Sequence, residues 1–154
     1  EKPRPPHESF FAKGAAMRAV IGGVRVGSVT LFAFFWGLHE HAYSLGSSDI
    51  PDEVLSYART MAFVVLAASQ LFYSLSMRSA DRSIFAIGLF SNKYLIGAIV
   101  IGLLLQFIVV SVPFLASAFK LQFLSLFDWG LVLLLALIPL AVNELIKGLR
   151  RTAP

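Results

Sequence analysis

The sequence predicts an all-α, polytopic membrane protein: a bundle of four transmembrane helices with both termini in the cytoplasm. Three observations carry this. Of the 154 residues, 57% are hydrophobic and only 14% are charged, with a mean hydropathy of +0.76, a balance that no water-soluble domain of this length needs. The runs between Arg59 and Arg78 and between Lys93 and Lys120 carry no charge, and each is long enough to cross a bilayer as helix at roughly 17–25 residues per span. The cations are also distributed unevenly along the chain, which fixes the expected orientation.

Taking the elements in order, residues 1–13 read as a cytoplasmic lead-in, because Pro3, Pro5 and Pro6 exclude a helix. The opening "EKPRPPHESFFAKG" is polar, lacks the features of a signal peptide and reads as a cut end. Residues 14–151 form the membrane domain, with helices expected near 14–39, 54–77, 92–116 and 127–149, and residues 152–154 are a tail. The first span is interrupted by Arg25. Its long stem can carry the guanidinium to the headgroups or to an acidic group on a helix missing from this chain. The two middle spans coincide with the charge-free runs. Pro113 loosens or ends the third span near its non-cytoplasmic end, and Pro139 kinks or loosens the fourth. In that last span Asp128 and Trp129 mark one interface, while Glu144 and Lys147, spaced i, i+3, mark the other.

Ten of the thirteen cations fall on one side: Lys2, Arg4, Lys13, Arg18, Arg78, Arg82, Lys93, Lys147, Arg150 and Arg151. The opposite side holds Arg59 and Lys120, and its first loop is acidic through Glu40, Asp49, Asp52 and Glu53. Both ends are therefore expected in the cytoplasm. The net charge of +4 follows from this topology and from contact with the lipid bilayer, and no pattern for binding nucleic acid is present. With no cysteine, there is no disulfide framework, thiolate metal site or cysteine nucleophile. No phosphate-cradling glycine loop occurs, and no catalytic residue is offered.

Four polar or small-residue features remain. Gly22, Gly23 and Gly27 make the first span a docking face for a partner helix, with Gly23 and Gly27 spaced as GxxxG; a merely lipid-facing helix is the other reading. Gln70 sits in the middle of a greasy helix, where an amide without a partner costs several kcal/mol. Tyr73 and Ser74, three and four residues on, can share its face. Gln106 is expected to make an interhelical hydrogen bond. His39 and His41 are two residues apart, which on a helix points them away from each other and favours a solvated interface over a metal site.

The stretch from "TMAF" through "QLF", "MRSADRSIF" and "FSNKYL", followed by "LSLFDW" and "NELIKGLRR", resembles the carboxy-terminal membrane domain of type II P-type cation-transporting ATPases of the calcium-pump branch, in a prokaryotic form. The opening "RPPHESF" is similar to the linker after the sixth membrane helix of such pumps. The resemblance covers essentially the whole chain, most weakly in the first span and the loop after it. It implies that the four spans are helices seven to ten of a ten-helix pump in the plasma membrane. The chain would serve as a scaffold that lines part of the ion site, inactive by itself. The partners implied are the remaining helices and the cytoplasmic domains of the parent pump. ATP, Mg2+ and transported Ca2+ belong to that parent, and this chain has no cofactor of its own. Manganese is the other hard cation that oxygen ligands would accept.

In two-site members of the family, an acidic residue of the eighth helix helps to hold one calcium ion. Aligning "TMAF" and the following "LF" places Gln70 there, so the resemblance implies a weak neutral cation ligand and a one-site pump. Tyr73 and Ser74 would line the same region. The alternative is a self-contained four-helix membrane protein, either a small proton-coupled transporter using Glu144 or a helper subunit docking through Gly23 and Gly27. Beside Lys147 and near the cytoplasmic end, Glu144 reads more simply as an ion pair, worth about 0–1 kcal/mol if exposed.

Overall fold

The computed structural model describes residues 15–44, 46, 49–79 and 83–152; the expected lead-in and the last two residues of the tail lie outside them. The described residues form helices and no strand. The helices are α1 (Ala15–Glu40), α2 (Asp52–Ser76), the single turn α3 (Ile84–Ile87), α4 (Lys93–Ser111), α5 (Pro113–Ala118) and α6 (Leu126–Thr152), with a 3-10 turn at Leu89–Ser91. Four of them contain segments long and apolar enough to cross a membrane: Ala19–Glu40, Asp52–Ser76, Lys93–Ser111 and Leu126–Leu149. The chain is thus an integral membrane protein with the four expected spans.

Local chemistry accounts for the ends. Asp52 and Glu53 place two carboxylates in the first turn of α2, where the helix dipole favours negative charge. The Asn92 side chain caps α4 by accepting from the Leu95 N–H at 3.1 Å. Pro113 ends that helix, because the residue before a proline is pushed out of the helical region: Val112 is extended, with φ −87° and ψ 116°. The third span is therefore shorter than the expected 92–116, and α5 restarts with Pro113 in its first turn. Pro139 does not break α6.

Helix α2 is the hub, packed on α1, α4 and α6. Met61, Val64 and Val65 of α2 form one buried cluster with Ala33, Val110, Val132 and Leu135. Toward the other end Leu75 packs with Ile84 and Ile99. Lipid tails are as apolar as leucine, so burial alone does not drive such helices together; close backbone approach and polar contacts must. Close approach is supplied by Gly37, where an added Cβ would lie 2.8 Å from the Ala58 Cα, and by Gly102, where it would lie 2.8 Å from a Leu71 methyl. Outward, α4 exposes Val100, Ile101, Leu104, Leu105, Phe107 and Ile108. Water does not support a face of that kind, which needs lipid or other helices over it.

Candidate functional site

The spacing of buried residues on α2 decides where Gln70 points. Ala58, Met61, Val65, Ala68, Leu75 and Ser76 face the bundle, and Gln70 is rotated away from them and exposed. It opens into a cavity of about 230 Å³ between α1 and α2, lined by Ala19, Gly22, Gly23, Val26, Gln70, Tyr73 and Met77. Gly22 makes room for Tyr73, since a Cβ there would stand 3.1 Å from the phenol oxygen. The Gln70 amide has no hydrogen-bond partner among the described residues.

The expected grouping is thus only partly assembled. Gln70 and Tyr73 share the cavity, as do Gly22 and Gly23. Ser74 is not among the lining residues, and its hydroxyl donates back to the Leu71 carbonyl at 2.6 Å, a local bond that takes the place of any shared face with Gln70. Gly23 and Gly27 have open space where a side chain would project, so none of the described helices docks on that pair. The close contact of α1 with α2 runs instead through Gly22, Val26, Ala33 and Gly37, where Val26 and Ala33 are buried and the two glycines meet α2 directly. Ala33 and Gly37 are themselves small residues four apart, the signal that marks this contact in the sequence.

A second polar group forms where α2 ends. The Ser76 hydroxyl donates to the Glu144 carboxylate and accepts from Asn143 Nδ2 at 2.6 Å and from Lys147 Nζ at 2.9 Å, which uses all of its hydrogen-bonding capacity. Lys147 Nζ has three protons and three acceptors: the Ser76 hydroxyl, the Ser76 carbonyl at 2.5 Å and Glu144 Oε1 at 3.0 Å. The second carboxylate oxygen accepts from the Ile84 N–H at 2.8 Å, tying the start of α3 to α6. Arg25 completes the chain by donating to Asn143 Oδ1 at 3.2 Å, so one of its partners is an amide within this chain.

Glu144 and Lys147 are only 7% and 6% exposed. They do pair at i, i+3, but not as the exposed surface pair expected from spacing, because the end of α2 and the turn α3 close over that face of α6. Such a site, with each partner saturated, ties α2, α3 and α6 together without a free group to bind a ligand.

Asp128 belongs to a third polar group. It stands in the first turn of α6, is buried in the bundle, and accepts from Tyr57 Oη, the Ser125 N–H and the Ser125 hydroxyl. The Ser125 hydroxyl accepts in turn from the Asp128 N–H at 3.2 Å, a reciprocal cap on the first turn of α6. Gln106 donates from α4 to the Val64 carbonyl of α2 at 2.9 Å, the expected interhelical bond. The His41 ring packs edge-on against Tyr57 with centroids 4.6 Å apart, and its Nδ1 lies 3.1 Å from the Gly37 carbonyl. Among the described residues no cluster of three His, Asp or Glu side chains could hold a metal ion.

Comparison with known proteins follows the membrane architecture. Residues 1–149 match the family described as "Cation transporting ATPase, C-terminus". The chain is 45% identical over 152 residues to calcium-transporting ATPase 1 of Bacillus cereus, covering 96% of this chain and 17% of that protein. It is 34% identical over 138 residues to a calcium-transporting ATPase of Bacillus subtilis, covering 90% of the chain and 14% of the relative. A calcium-transporting ATPase type 2C member 1 of Mus musculus is 28% identical over 150 residues, covering 97% and 15%. The chain thus spans about one sixth of the length of the relatives it matches.

Proposed function

The chain belongs to the family of cation-transporting ATPase C-termini, and from that premise we propose that it is the transmembrane scaffold of an ATP-driven calcium pump. Most of the ion path, the nucleotide site and the phosphorylation site lie in the remainder of the parent. The observation that carries the reading is the Gln70 cavity. An unpartnered amide at mid-helix, on the outer face of the α1–α2 pair, needs another protein group, a water or an ion, and the missing helices of the pump would supply one. Gln70 would then line the ion region with a neutral carbonyl oxygen, and Tyr73 would stand beside it. A neutral amide is a weaker calcium ligand than a carboxylate, so the pump is expected to hold a single high-affinity calcium ion. Gly23 and Gly27, open in this chain, would receive a helix of the parent. ATP and Mg2+ act on the parent's cytoplasmic domains, with which this chain assembles in the plasma membrane.

Two measurements test this. Blotting source membranes with an antibody to residues 1–13 is expected to show a band far above 16.8 kDa, and vesicles holding that protein are expected to take up calcium only with ATP. A band at 16.8 kDa would instead point to a free-standing four-helix protein.

Orientation is the second part of the proposal. The network joining Arg25, Ser76 and Lys147 puts the start of α1, the end of α2 and the end of α6 at one end of the bundle, and by sequence position most of the cations are expected there. That end is expected in the cytoplasm. A cysteine introduced at Asp49 is expected to react with an impermeant reagent added outside intact cells; labelling only after permeabilisation would reverse the orientation.

A further inference from the structure

At the opposite end of the bundle, a cavity of about 520 Å³ lies between the first turns of α2 and the segment from α5 to Phe123. Its polar lining consists of Asp52, Ser56, Arg59, Ser117, Lys120 and Gln122, while Pro113 and Phe123 are among its apolar lining. Its two walls are stapled together. The Thr60 hydroxyl donates to the Ser56 carbonyl at 2.8 Å and accepts from the Gln122 N–H at 2.9 Å, so the loop carrying Lys120 and Gln122 is fixed against the helix carrying Ser56 and Arg59.

Lys120 is held unusually. It stands at the left-handed position that closes α5, with φ +54°, where the Lys120 N–H bonds to Ser117 and the Leu121 N–H to Ala116. That position ordinarily takes glycine, because a side chain there is strained. Lys120 therefore carries its side chain at a position that glycine would fill without strain. Neither Lys120 nor Arg59 has a hydrogen-bond or ion-pair partner among the described residues, and both are exposed. Two unpaired cations and one carboxylate therefore face a polar cavity at the edge of a membrane span.

We propose that this cavity binds the headgroup of a phospholipid bearing an ammonium group, with Arg59 and Lys120 holding the phosphate and Asp52 the ammonium. Charge complementarity selects this ligand. A phosphodiester takes charge-assisted hydrogen bonds from a guanidinium and an ammonium, and the carboxylate disfavours a purely anionic headgroup while pairing with a cationic one. Ser56 and Gln122 offer further donors to the ester oxygens, and Phe123 leads toward the acyl region. This inference requires that the four helices lie in a bilayer and that the rest of the parent leaves this cavity open to lipid, and it stands or falls separately from calcium transport.

The test is native mass spectrometry of the full-length protein containing this chain, taken from nanodiscs of equal phosphatidylethanolamine and phosphatidylglycerol. The native protein is expected to retain phosphatidylethanolamine preferentially. Lys120→Gly, which relieves backbone strain and so keeps the fold, is expected to reduce that retention about tenfold, the weight of one charge-assisted hydrogen bond. Arg59→Gln, at an exposed position, should do the same, and Asp52→Asn should shift retention toward phosphatidylglycerol. Equal retention by the native protein and Lys120→Gly would overturn the proposal, as would an unchanged lipid preference in Asp52→Asn. Displacement of the lipid by excess inorganic phosphate would assign the site to free phosphate and equally overturn it.

Discussion

Replacing Lys147 by methionine is expected to lower the stability of the detergent-solubilised protein by about 3–5 kcal/mol, the range for removing one partner of a buried ion pair. The side chains are of similar length, so the change leaves packing nearly intact and deletes one charge. What remains is the Glu144 carboxylate with its charge uncompensated, and the Ser76 carbonyl at the end of α2 without its donor. The double variant Glu144→Leu/Lys147→Met leaves no buried charge unpaired and is expected to lie closer to the native protein than Lys147→Met does, yet below it, because the Ile84 N–H and the Ser76 hydroxyl lose their acceptor. Thermal unfolding of the three proteins reads the difference. A loss below about 1 kcal/mol in Lys147→Met is what an exposed i, i+3 pair would give, and it would contradict the burial described above.

Gly37→Leu is expected to cost about 3 kcal/mol, the upper part of the range for forced overpacking. The first atom added would meet the Ala58 backbone at 2.8 Å, and a backbone cannot turn aside as a side chain can. The Met61 sulfur at 3.1 Å and the Ala58 methyl at 3.3 Å close the other directions, so α1 must move off α2. Gly23→Leu, with open space around it, is expected to leave the fold of this segment unchanged and to weaken only its assembly with the helices of the parent. Equal thermal stability for Gly37→Leu and the native protein would mean that α1 and α2 are further apart than their small residues place them.

The contrast between those glycines shows what the sequence can and cannot tell. Four spans were legible because a bilayer demands long charge-free stretches, and Pro113 marked a boundary because proline constrains the residue before it. The GxxxG spacing pointed to Gly23 and Gly27, yet it is Gly22 and Gly37 that meet α2. Spacing reports that two small residues share a face, not which neighbour covers it. Glu144 and Lys147 follow the same logic: their i, i+3 relation is local and readable, but the Ser76 hydroxyl and the Ile84 N–H that bury them arrive from more than 55 residues away in the chain. Asn143, Tyr57 and Thr60 escaped notice because each acts only through a distant partner. Gln70 was legible as an anomaly in an apolar helix, and the structure shows the cavity it opens into.

Equilibrium binding of calcium to the purified full-length protein, normalised to the amount of enzyme that ATP can phosphorylate, tests the central reading most directly. With a neutral amide at Gln70 in place of a carboxylate, one high-affinity calcium ion per phosphorylatable enzyme is expected. Two such ions would contradict the role assigned to Gln70, and no calcium-dependent phosphorylation at all would contradict the assignment of this chain to a calcium pump.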